Sequence, residues 1–389
     1  MTGRLIQRGD DLTISVDLVD VRNRKTLWGE QFERKMSDLL ATQREIAAAI
    51  TEKLQLKLTG DVAKGVPRKY TDNNEAYQSY LKGRYYWNRR TAINLKKALE
   101  EFKTATEKDP NFALAFVGLA DCYALLGEYA GAPSSETIPK AKAYAERALA
   151  LDGQLGEVHA TLALLADYSW QWAEAEREFK LAIAANPNYP TTYHWYSISL
   201  KALGRFDEAD AMIRRAQELD PISSVISINV TRILQIQKKD EEAIRLTLKL
   251  IEMDPNFPAA YQYIALSYIR QGKIAEAVAS AEKSVEMGNR SGIALGDLGY
   301  VYALAGRKND ARAVVKELEA KYARREAKPM FIAVVYAGLG EKDKMFEWLG
   351  KGLEERSGQL AEIRWQMPFE PFRDEPRFKD LLKGMNLPQ

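Results

Sequence analysis

From residue 74 onward, apolar side chains recur at spacings of three and four, which marks one buried face on an α-helix. Tyr193, Tyr196 and Leu200 form such a face, Gly204 interrupts it, and Ala209, Ile213 and Ala216 resume it before Pro221. The unit from Pro258 repeats the arrangement with Tyr261, Ile264, Ala265, Tyr268, Gly272, Ala277, Ala281 and Ser284. Pro187, Pro221 and Pro255 fall at one interval of 34 residues, behind Asn186, Asp220 and Asp254. Proline disfavours helical geometry in the residue before it, so each pair stops a helix. Small residues such as Ala209 and Ala277 let paired helices approach closely. A fixed period of this size predicts stacked helix–turn–helix units. About eight are expected, beginning near residues 74, 113, 156, 190, 224, 258, 292 and 326.

The period is interrupted in places. Pro110 and Pro187 lie nine residues further apart than two periods, and Gly131, Pro133, Ser134, Ser135 and Pro139 place the surplus in a loop over 128–139. The unit from Ser224 has Lys238 at the turn and Leu250 at a small-residue position, and the last unit has Gly352 where alanine is usual. After Gly358 the register fades into dense aromatics, Trp365, Phe369, Phe372 and Phe378, among Pro368, Pro371 and Pro376. A short helix over 378–385 is expected there, in a segment, 358–389, that caps the final hairpin.

The first sixty residues alternate with period two instead. Leu12, Ile14, Val16 and Leu18 share one face, with Thr13, Ser15 and Asp17 on the other, as in a half-buried strand. Turns at Gly9-Asp10 and Asn23–Lys25 separate three strands, near 3–8, 12–21 and 26–34. Ser37 then opens a helix whose stripe, Leu39, Leu40, Ile46, Ile50 and Leu54, runs to Leu58.

Taken together, Ala98, Phe102, Ala105 and Pro110, then Ala175, Phe179, Ala182 and Pro187, with Phe116, Leu119, Ala120 and Tyr123 for the first helix, resemble the tetratricopeptide repeat. That resemblance implies a mainly α fold, an α-solenoid of helical hairpins over 74–357 with a concave face lined by first helices. Gly3-Arg4-Leu5, Leu18-Val19-Asp20, Leu27-Trp28 and the stretch 43–50 resemble the later half of a TolB-type α/β domain. It implies a partial α/β segment over 1–60, three antiparallel strands and a helix, joined by a linker at 61–73. In bacterial proteins of that kind the pair lies downstream of a Ser/Thr kinase, an adenylate cyclase or a winged-helix domain. A truncated sheet leaves an unpaired edge, so this segment is expected to form a homodimer or to bind a missing half.

Composition changes the picture little. An apolar fraction of 46% is enough for a core, and 28% charged residues suit a hydrated surface. The net charge of +2, without a basic stripe, argues against nucleic acid as a partner. No apolar run of about 18 residues stands out as a membrane span. The chain by itself reads as cytoplasmic, whereas the resembling membrane-anchored proteins would place it outside.

Chemistry-bearing residues are sparse. With only His159, His194 and Cys122, no Cys/His zinc set can be assembled. Cys122 beside Tyr123 reads as a small core residue. Gly338-Leu339-Gly340-Glu341-Lys342 lacks the spacing of a phosphate loop. Glu174, Glu176, Arg177 and Glu178 alternate in sign, as on a solvated helix face. No catalytic residue, cofactor or metal is expected. The better candidates are first-helix residues outside the packing pattern: His194, Trp195 and Lys201; Asn229, Arg232 and Gln235; Gln262, Tyr263 and Arg270; Asp297 and Tyr300. Arginine and aromatic anchors of this kind suit a protein or peptide partner. The expected function is therefore a binding scaffold, or else the regulatory portion of a larger signalling protein.

Overall fold

The computed structural model describes residues 2–20, 23, 25–38, 41–43, 45, 46, 49 and 70–388. Three strands open the chain: β1 (Thr2–Arg8), β2 (Asp11–Asp20) and β3 (Lys25–Lys35), an antiparallel meander in the order β1-β2-β3. Ile14 pairs with Leu5 on one side and Phe32 on the other, and Leu12, Val16 and Phe32 are buried. A register shift falls between Leu18 and Val19. A 3₁₀ turn, Met36–Asp38, stands where a helix was expected to open at Ser37. Residues 41–43, 45, 46 and 49 are helical, and the rest of that helix to Leu58, with the linker up to 69, lies outside the described residues.

Sixteen helices then pair in sequence. They are α1 (Asn74–Asn88), α2 (Ala92–Lys108), α3 (Ala113–Ala130), α4 (Ser134–Leu151), α5 (Gly156–Tyr168), α6 (Trp172–Ala185), α7 (Pro190–Ala202) and α8 (Phe206–Leu219). The second half holds α9 (Ser224–Ile236), α10 (Asp240–Met253), α11 (Pro258–Arg270), α12 (Ile274–Met287), α13 (Gly292–Leu304), α14 (Lys308–Ala323), α15 (Pro329–Leu339) and α16 (Lys342–Glu354). The sheet segment meets the array at α1, where the Gln78 amide donates to the Met36 carbonyl at 3.2 Å and the Tyr77 hydroxyl to Gln43 at 2.6 Å.

Small residues set the depth of the packing. Phe102 lies between Gly83 and Gly118, where an added Cβ would come within 2.5 and 2.6 Å of its ring. At the turns, Gly204, Gly272 and Gly306 adopt positive φ, but Lys238 and Trp170 reach φ 59° without being glycine. The missing turn glycine in the fifth hairpin therefore changes the cost of the turn and not its shape.

Two expectations are corrected. The nine surplus residues do not form a loop over 128–139: only Gly131–Pro133 separate α3 from α4. The surplus lengthens both helices to 18 residues, and Pro139 is carried inside α4. In addition, α3 is long and apolar enough to cross a membrane by length and composition, contrary to the reading that no such run exists. Some 67% of it is buried here, against α2, α4 and α5, and that burial accounts for its apolarity.

Hairpins stacked with a constant rotation curve into a superhelix. Here the curvature brings α3 into contact with α13. Lys328 Nζ donates to the Ala132 carbonyl at 2.7 Å, and Arg325 pairs with Glu136 at 2.6 Å. Gly131 sits so near Glu326 that an added Cβ would lie 2.3 Å from its carbonyl carbon. Residues 113–136 and 292–328 thus close the superhelix on itself.

Candidate interaction groove

First helices α5, α7, α9, α11, α13 and α15 face the superhelix axis, so polar residues outside the hairpin packing pattern must point inward. The expected residues do gather there, but they do not line an open channel. Residues 358–375 leave the end of α16 and cross the axis as a strap, through 3₁₀ turns at Gly358–Arg364 and Met367–Phe372. The first turn packs on α5, α7 and α16, and the second on α15. The chain then returns to α16 as α17 (Pro376–Gly384), where Phe378, Leu381 and Leu382 are buried. The carboxyl segment expected as a cap thus divides into two parts: α17 covers the last hairpin, and the strap fills the interior. The prolines at 368 and 371 prevent a regular helix and force the tight turns.

Contacts between strap and groove are charged and aromatic. Arg232 Nη2 pairs with Glu362 Oε2 at 3.0 Å, and the Arg232 guanidinium lies 4.3 Å from the Trp365 ring centroid and 4.9 Å from that of Tyr263. Lys201 Nζ stands 4.6 Å from the same indole. Arg270 Nη2 approaches Glu370 at 3.5 Å while Nη1 pairs with Asp240 at 3.2 Å. Tyr168 packs against Gly358, and outside the strap, after α17, the Met385 carbonyl accepts from Trp172 Nε1 at 2.8 Å. Leu360, Ile363 and Phe369 are fully buried and fasten the strap to the core.

The remaining expected residues support this contact. Asn229 accepts from Lys201 at 3.4 Å and lies 2.9 Å from His194 Nε2. Gln235 donates to Ser267 and to the Tyr263 carbonyl, and Gln262 to Asp297 at 2.7 Å. Trp195 packs edge-on against Trp87, 6.1 Å between centroids, and belongs to the core between hairpins. Tyr300 is buried and also serves packing. Sequence reasoning missed Glu362, Glu128 and Asp167. The first sits in a segment without repeat register, and the others resemble ordinary helix residues.

Burial dominates the electrostatics. Lys201 has no exposed surface, and its ammonium is pushed well below its ordinary range by burial, with Arg232 adding repulsion. His194 is likewise held neutral by burial. Asp167, accepting from Ser199 at 2.8 Å, is raised to about 7 by burial. Asp121, which accepts from Thr161 at 2.6 Å, and Asp297 are raised to about 6 for the same reason. Burial also raises Glu128, with Glu362 adding like-charge repulsion. A cavity of about 50 Å³ remains beneath the strap, bounded by Arg232, Gln262, Phe331, Trp365 and Pro368.

Comparisons with known proteins agree with the hairpin architecture. Three family models described as "Tetratricopeptide repeat" match, one at 80–136 and 264–326, the others at 190–223 and 246–279. The chain is 24% identical over 249 residues to the transcriptional regulator HilA of Salmonella typhimurium, across 63% of this chain and 44% of that protein. It is 24% identical over 181 residues to a Rhizobium meliloti protein described as a candidate adenylate cyclase, across 45% of this chain and 30% of that protein. The chain thus spans less than half the length of these relatives. Among solved structures, Pseudomonas aeruginosa PilF superposes with a TM-score of 0.42 and 19% identity, over 55% of this chain and 93% of that one. The matched repeats coincide with the helical pairs at 80–136, 190–223 and 246–326, and these stretches of the chain are tetratricopeptide repeats.

Proposed function

We propose that this protein is a protein-interaction scaffold that holds a peptide or a partner domain in the concave groove of its superhelix, with no catalytic role of its own. The carrying observation is that Arg232 and Lys201 hold the glutamate and tryptophan of an irregular peptide segment, with Tyr263 against the Arg232 guanidinium. Arginine and aromatic side chains concentrate binding energy at interfaces when they are desolvated. The sheet segment contributes to assembly through the β1 edge, where all residues but Ile6 are exposed.

The test is capture of partners from the source cell by the wild type and by an Arg232→Ala/Tyr263→Ala variant with a retained helical spectrum. Loss of the same partners from the variant supports the groove, and unchanged capture refutes it. For the β1 edge, light scattering that shows only monomer at high concentration rejects the assembly role.

A second reading is that the chain is the regulatory portion of a longer bacterial signalling protein. It is supported by the partial coverage of a transcriptional regulator and a candidate cyclase. Sequencing the genomic DNA upstream of Met1 tests it, because an in-frame effector domain is required.

A further inference from the structure

We infer that the strap is a tethered ligand of the groove, and that the partner of this site is a peptide presenting a carboxylate three positions before a tryptophan. This rests on the groove reading above and names the partner chemistry. Residues i and i+3 eclipse in a 3₁₀ turn. Glu362 and Trp365 are so related, and the Trp365 amide donates to the Glu362 carbonyl at 3.1 Å. The turn therefore turns both side chains toward Arg232, which binds the carboxylate edge-on and stacks on the indole. Lys201 approaches the indole too. The turn is local, so a short free peptide can adopt it on binding.

A second observation indicates that the strap is a replaceable occupant. Its contact with the groove is imperfectly matched. Trp365 Nε1 and Gln359 Oε1 on the strap and Arg232 Nε in the groove are buried without a hydrogen bond to another protein group. Native cores leave few such atoms, and each one weakens the contact that buries it. The cavity of about 50 Å³ lies against two of these residues, Arg232 and Trp365. Arg232 Nε stays in the groove when the strap leaves, so an incoming peptide that places an acceptor on it has an advantage over the strap. The tether opposes it by giving the strap an effective concentration on the order of millimolar. The groove is thus closed to weak ligands and open to a matching one.

The experiment uses a fluorescently labelled peptide of residues 358–372, the full-length wild type and a Glu362→Ala/Trp365→Ala variant, read by anisotropy. Removing both anchors weakens the resident strap, so the peptide is expected to bind the variant at least tenfold more tightly than the wild type. Adding Arg232→Ala to the variant is expected to abolish that binding, as is replacing Glu and Trp in the peptide. A folded variant that does not bind the peptide overturns the inference, as does binding that ignores Arg232. If the double variant fails to fold, Glu362→Gln/Trp365→Phe takes its place with the same readout. Absence of peptide binding, with partner capture still lost on Arg232→Ala/Tyr263→Ala, rejects the tethered ligand and leaves the groove. Peptide binding with unaltered partner capture rejects the groove as the partner's site.

Discussion

Removing Arg232 should destabilise the protein far more than removing the pair it forms with Glu362. The two charges meet at 3.0 Å with 8% and 15% of their side-chain surfaces exposed. At that distance and an effective dielectric near 20, the attraction is about 5.5 kcal/mol. Taking each ion out of water costs several kcal/mol, so the intact pair is close to break-even. Arg232→Ala leaves the Glu362 carboxylate buried without its counter-charge, with only the Gln366 amide at 2.9 Å to accept from, at a cost of about 3–5 kcal/mol. Part of that loss comes from the guanidinium's stacking on Trp365 and Tyr263, and a double-mutant cycle subtracts it. The cycle over Arg232→Ala and Glu362→Ala should give a coupling of about 2–3 kcal/mol, at the upper end for contacting residues. Urea titration followed by circular dichroism at pH 7 measures it, and hydrogen exchange should locate the first opening in residues 358–375. A coupling under about 0.5 kcal/mol would refute the claim that this pair fastens the strap.

The other expected outcomes concern buried charge and close packing. Asp167 is raised to about 7 in the folded protein, above its unfolded value, so the folded state holds a proton that the unfolded chain has released. Its contribution is greatest below pH 4 and declines as pH rises toward 7; Asp167→Asn should flatten this slope by a few kcal/mol in a pH series of urea titrations. Lys201 is wholly buried, and Lys201→Met should be neutral or stabilising by about 1 kcal/mol at pH 7, because an apolar chain of similar length avoids the desolvation; a loss above about 2 kcal/mol would show that its ammonium is needed. Gly83→Ala puts a methyl within 2.5 Å of the Phe102 ring and should cost about 1–3 kcal/mol, visible as a lower thermal midpoint.

The array was legible residue by residue. Seven of the eight expected unit starts coincide with the first residue of a helix, and the last unit begins at Pro329 instead of near 326. The three strands lie within a residue or two of their expected limits for the same reason, since a period of two is visible in Leu12, Ile14 and Val16. The loop over 128–139 was misread because Gly131, Pro133 and Pro139 are turn residues by composition, while Pro139 is held helical by its neighbours in α4.

Sequence alone determined the helical hairpins, because their stabilising contacts join residues three, four and about 34 apart, and such contacts leave a period in the chain. It also singled out first-helix residues that the packing pattern does not use, although Trp195 and Tyr300 among them serve packing. Tertiary structure decided what those side chains meet. Arg232 and Glu362 lie 130 residues apart, and Lys328 meets Ala132 across 196. Both contacts follow from the accumulated rotation of whole hairpins, a quantity no single stretch of sequence encodes. A row of polar residues reads the same whether water or the chain's own carboxyl segment covers it, and only the closed superhelix distinguishes the two.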